Sequence, residues 1–82
     1  MNTYSPDYAV HPGETLKELM EPIGMNASEL SKLSGIDVGI LRGLISCEPS
    51  SAITVEISRS LDGIFDVPGE FWLNLQKNYE RS

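Results

Sequence analysis

The stretch from Ala27 to Ser46, ASELSKLSGIDVGILRGLIS, decides how this chain folds. Leu30, Ile36, Leu41 and Leu44 fall where they can share one core, Ser31 is small enough for a second helix to cross closely, and Gly35 stands where the chain must turn. The pattern predicts helix, sharp turn, helix. Asn26-Ala27-Ser28-Glu29 reads as a capping box that starts the first of these helices, which runs to about Ser34 and is expected to bury Leu30 and Leu33. Asp37 suits the N-cap of the next helix, with Ile40, Leu41, Leu44 and Ile45 as its inner face. Its outer face is then Val38, Gly39, Arg42, Gly43 and Ser46.

The second helix of such a unit can lie in the major groove of DNA, so the chemistry of that outer face matters. Only Arg42 suits a bidentate contact with guanine, while Ser46 can reach a phosphate or a base. The two glycines weaken the helix by roughly 1 kcal/mol each relative to alanine and offer no functional group to a base edge. The ordinary alternative for Arg42, a solvated surface cation, stays open.

Outward from this unit, His11-Pro12-Gly13-Glu14 opens an earlier helix, with proline in the first turn and Glu14 at the positive end of the dipole. Leu16, Leu19 and Met20 form its apolar face, and Pro22 and Gly24 end it. Residues 1–10 read as an extended N-terminal arm ahead of a helical domain over residues 11–82. The arm carries Tyr4, Pro6 and Tyr8 but no Lys or Arg. Beyond the central unit, Cys47 to Ala52 is a polar, proline-containing loop, and Thr54 can cap a fourth helix. Ile57, Leu61, Ile64 and Phe65 lie at i, i+4, i+7 and i+8, which predicts one helical stripe continuing through Gly63. Asp66-Val67-Pro68-Gly69-Glu70 restarts the chain as a fifth helix, on which Phe71, Trp72, Leu75 and Tyr79 share a side. That aromatic stripe serves either as core or as a surface that closes a dimer or meets a partner.

Eighty-two residues suit one domain, and a chain of this size buries only about 60% of its unfolded surface. A large enzyme cleft is not expected. No nucleophile with an adjacent base and no phosphate-cradling loop appears, so neither catalytic residues nor a cofactor are expected. Cys47 and His11 fall short of the ligands a zinc site needs and read as a buried thiol and a structural histidine. With no long apolar run and no basic-then-apolar leader, the expectation is a cytoplasmic protein away from membranes. Twelve acidic and six basic side chains give a net charge of −6, against the basic face usual in nucleic-acid binders.

Taken together, His11-Pro12-Gly13-Glu14, Glu21-Pro22 with Gly24, the helix-turn-helix, Ile53-Thr54, and Glu70 to Gln76 with Tyr79 resemble the HigA-type antitoxins of bacteria and their phages. These belong to the lambda-repressor-like, or XRE, helix-turn-helix group. The resemblance spans residues 11 to 80 and implies an all-α, five-helix lambda-repressor-like domain. It also implies a homodimer that binds and neutralises a HigB-type ribonuclease toxin and represses its own operon. On that resemblance, operator DNA would be met by Asp37, Val38, Gly39, Arg42, Gly43 and Ser46, with Ala27 and Ser28 beside a phosphate.

This sequence departs from the family pattern where the recognition helix usually carries several polar side chains, and again where the following loop usually supplies bases. Here stand Val38, Gly39 and Gly43, and then Glu48. Arg59 stands where an apolar residue is common. Two functions therefore stay open: a dimeric repressor and antitoxin, or a protein-binding module that keeps the fold with weakened DNA binding.

Overall fold

In the computed structural model of the protein, which describes residues 10–81, the chain is all-α. The expected arm lies outside those residues apart from Val10, whose side chain is exposed. Five helices follow one another: α1 (Pro12–Met20), α2 (Ala27–Ser34), α3 (Val38–Ile45), α4 (Val55–Leu61) and α5 (Gly69–Arg81). A single 3-10 turn, Glu21–Ile23, follows α1.

Each start is chemically marked. The His11 ring caps α1, its Nδ1 accepting from the Gly13 amide at 2.9 Å. At α2 the capping box is complete: the Glu29 amide donates to Asn26 Oδ1 at 2.8 Å and the Asn26 amide to Glu29 Oε1 at 2.9 Å. Asp37 caps α3 and Thr54 caps α4 through the Ile57 amide. The turn between α2 and α3 relies on Gly35, at φ 78°, and on two serines. Ser31 Oγ donates to the Ile36 carbonyl, while Ser34 Oγ donates to the Leu30 carbonyl at 2.8 Å and accepts from the Ile36 amide at 3.1 Å.

Leu16, Met20, Leu30, Ile36, Leu41, Leu44, Ile53, Leu61 and Trp72 make the core. α2 packs on α3, α3 on α1, α1 on α5, and α5 on α4. The α1–α3 crossing is close enough that a Cβ on Gly13 would run into the Leu44 carbonyl. Gln76 ties the far end together, its buried Oε1 accepting from the Ile53 amide at 2.8 Å.

Five expectations are corrected by this packing. Leu33 is 63% exposed, because Leu30 already fills the core-facing side of α2 and, among the described residues, no other element covers its flank. Ile40 is 47% exposed, since α3 turns Leu41 and Leu44 inward and leaves Ile40 on the rim. The fourth helix stops at Leu61 instead of continuing through Gly63. Gly63 is left-handed at φ 80° and its amide bonds the Val67 carbonyl at 2.9 Å, so Ile64 and Phe65 pack from a turn. Asp62 in that turn accepts from the Gly69 amide at 2.7 Å and so anchors the start of α5. α5 therefore begins after Pro68 rather than around it. Trp72 has no exposed surface; it belongs to the core and is withdrawn from any dimer or partner interface. Among the described residues, no helix is long and apolar enough to cross a membrane.

Candidate nucleic-acid interface

α2, the Gly35 turn and α3 form a helix-turn-helix whose second helix stands open to solvent along one side. Gly39, Arg42 and Ser46 are exposed there and Val38 is half-buried. Their spacing of three and four residues places them along one strip. At the start of α2 the capping box engages the Glu29 amide, which leaves the amides of Ala27 and Ser28 as first-turn donors beside that strip. Ser28 is exposed and Ala27 half-buried.

Asp37 and Gly43, both assigned to a DNA-facing role from sequence, also have structural roles, and the cap expected at Asp37 is formed. The Asp37 carboxylate accepts from the Gly39 amide at 2.9 Å and the Ile40 amide at 3.4 Å, so it is the cap of α3. Gly43 is half-buried under the following loop, and a Cβ on it would come within 2.5 Å of Ser51 Oγ. The absent side chain thus lets residues 47–52 fold back on the helix. That return begins with a left-handed residue: Cys47, at φ 57°, donates its amide to the Leu44 carbonyl at 2.9 Å, and the Glu48 amide reaches the Gly43 carbonyl at 3.0 Å. Those two bonds are the Schellman pair, made without the usual glycine.

His11 then holds the loop. Because Nδ1 accepts from the Gly13 amide, Nε2 carries the hydrogen and faces the carbonyls of Glu48 and Ser51, both at 3.0 Å. The Tyr79 ring meets the imidazole edge-on, 4.9 Å between centroids. His11 is structural, as expected, whereas Cys47 is half-buried rather than buried. Burial, and next to it the Glu14 carboxylate, push the Cys47 thiol pKa up against an opposing pull from Lys17.

A groove of about 340 Å³ runs beside the strip, between Lys17 and Met20 of α1, Ala27 of α2, and Arg42, Ile45 and Ser46 of α3. It brings Lys17 to the same edge as Arg42. Sequence reasoning missed Lys17 because its place follows from the α1–α3 crossing at Gly13, which no local pattern encodes. Of the aromatic stripe on α5, Phe71, Leu75 and Tyr79 are half-buried, with Phe71 edge-on to Trp72 at 5.2 Å between centroids. Among the described residues, no three His, Cys, Asp or Glu side chains gather as a metal site would require.

The fold and this open second helix define a helix-turn-helix protein. Comparison with known proteins narrows the class. No family model matches the chain. It is 33% identical to a structure of an addiction module antidote protein of the HigA family from Coxiella burnetii, with a TM-score of 0.75 over 87% of this chain and 76% of that one. A crystal structure from Nostoc punctiforme, described as an antidote protein of a plasmid maintenance system, is 26% identical with a TM-score of 0.74 over 88% and 77% of the two chains. An HTH-type transcriptional regulator of Haemophilus influenzae is 35% identical over 65 residues, 78% of this chain and 59% of that protein. The chain therefore spans about three-fifths of that relative's length. The chain belongs to the HigA family of helix-turn-helix antidote proteins. The relatives it matches are described as a transcriptional regulator and as antidote proteins.

Proposed function

We propose that this protein is a HigA-type antidote that acts as a homodimer, represses its own operon by laying α3 in the major groove, and neutralises a HigB-type ribonuclease toxin. The observation that carries the DNA half of this reading is the open strip of α3, with Arg42 at its centre and the first-turn amides of α2 beside it. Arg42 reads a guanine, Ser46 and the amides of Ala27 and Ser28 meet phosphates, and Lys17 adds a cation at the same edge. One such strip offers few base contacts, so a dimer presenting two of them about 34 Å apart gives the needed affinity and demands a palindrome.

The test is fluorescence anisotropy of the DNA upstream of the gene against a scrambled duplex, at about 50 and 200 mM salt. Selective binding that weakens with salt is expected, and Arg42→Ala should lose about 1–3 kcal/mol of it. Unchanged binding by that variant removes Arg42 from the reading.

A second reading is favoured by the net charge of −6 and by Gly43 lying under the loop, which leaves Arg42 and Ser46 as the polar side chains of the strip. In it the fold is chiefly a binding module for a basic partner, and an RNA-cleaving toxin fits that chemistry. Tight complex formation with a co-expressed toxin from the same operon, together with no DNA selectivity in the titration above, selects this second reading.

A further inference from the structure

We infer that Val38 reads a thymine C5-methyl group, so that the operator half-site carries a thymine within two base pairs of the guanine read by Arg42. This rests on the reading that α3 enters the major groove, and deepens it by naming what the first turn recognises. The N-terminal residues of a recognition helix are the ones that meet base edges. In α3 that turn offers Val38, Gly39 and Ile40, none with a hydrogen-bonding side chain, and the Asp37 carboxylate just before them is engaged by the Gly39 and Ile40 amides.

Gly39 presents only backbone, and a Cβ placed there would meet nothing but the end of the Asp37 side chain. Among the described residues, Gly39 and Ile40 of this turn are exposed. Val38 and Arg42 are four residues apart and share a side of the helix, whereas Ile40 lies about 200° around from Val38 and belongs to the far flank. Four residues advance about 6 Å along the axis, and successive base pairs are about 3.4 Å apart, which places the two contacts one or two base pairs from each other. A valine can make only an apolar contact with a base edge, and the thymine methyl is the apolar group that the major groove displays. An adenine amino group or a cytosine amino group in its place would be stripped of water without a partner.

Uracil tests this without altering the protein, because it keeps Watson–Crick pairing and lacks only the C5-methyl. The DNA upstream of the gene is prepared with thymine or with uracil throughout, beside a scrambled duplex, and titrated at about 100 mM salt. For the full chain, uracil substitution is expected to weaken selective binding roughly three- to tenfold. Val38→Ala should narrow that ratio to below about twofold while Ile40→Ala preserves it. Equal binding of thymine and uracil DNA, with selectivity over the scrambled duplex retained, overturns the inference and leaves the DNA reading standing. Loss of the ratio in Ile40→Ala but not in Val38→Ala overturns the assignment to Val38. Failure to distinguish the upstream DNA from the scrambled duplex overturns both the inference and the DNA reading beneath it.

Discussion

Cys47 adopts a left-handed backbone at the end of α3, where a residue with a Cβ is held against its preference. Its thiol makes one weak contact, Sγ to the Ile45 carbonyl at 3.9 Å, so little is lost with the side chain. Cys47→Gly should therefore stabilise the protein by about 1 kcal/mol. For a domain of this size that is a rise of roughly 4–8 °C in Tm, read by thermal unfolding. An unchanged or lower Tm would show that the half-buried thiol contributes as much as the backbone costs. The same residue carries a pH prediction. Burial and the Glu14 carboxylate raise the thiol pKa, so the folded protein holds that proton more tightly than the unfolded chain does. The resulting stability is fully present below the ordinary thiol pKa and is lost as pH rises through the raised value. In keeping with this, iodoacetamide at about pH 8 should label Cys47 more slowly in the native protein than in urea. Equal rates would mean the thiol is as ionised and open as in the unfolded chain.

At the scale of elements, the starts of α1 to α4 were legible, whereas the start of α5 and the helix flanks were not. Asn26, Glu29, Asp37 and Thr54 act through amides two or three residues away, so a local pattern is enough to find them. Leu33 and Ile40 were expected inside because their spacing fits an apolar face, yet α2 and α3 are only eight residues each and have too few neighbours to cover a wide stripe. Gly43 shows the same limit from the other side. Its place under Ser51 depends on the loop return that His11 and the left-handed Cys47 produce. This yields a coupling. Gly43→Ala alone gains helix propensity but forces Ser51 Oγ aside, whereas in a Ser51→Ala background the obstruction is gone and the substitution should stabilise by about 1 kcal/mol. A double-mutant cycle by urea unfolding measures the difference; additive effects would mean that Gly43 and Ser51 do not contact in solution.

For the whole molecule, the arrangement of charge outweighs its sum. Arg59 lies on α4, and Lys77 and Arg81 on α5, a pair that packs on itself and on α1. Lys17, Lys32 and Arg42 lie on the helix-turn-helix and the helix it crosses. A homodimer of the proposed kind thus brings at most six of these cations to DNA. The slope of log K against log salt should be no steeper than about −5.4. A steeper slope from anisotropy at several salt concentrations would require cations other than these three per protomer at the interface. A shallow slope also assigns more of the affinity to contacts other than phosphates, such as the base contacts proposed for Arg42 and Val38.

The sequence by itself determined the helical class, the order of the helices, the caps that start them and the sharp turn at Gly35, because each of these rests on neighbours within about one helical turn, and the order of those local motifs along the chain carried the family resemblance. Arg42 and Ser46 on an outward strip were legible for the same reason. Only the tertiary structure decided which of the other candidates remain on that strip. The crossing of α1 over α3 at Gly13 brought Lys17 to its edge, the returning loop covered Gly43, and the packing of α5 on α4 and α1 withdrew Trp72 into the core. Those outcomes depend on residues tens of positions apart in the chain, whose meeting is set by the packing of whole helices rather than by any periodicity within one.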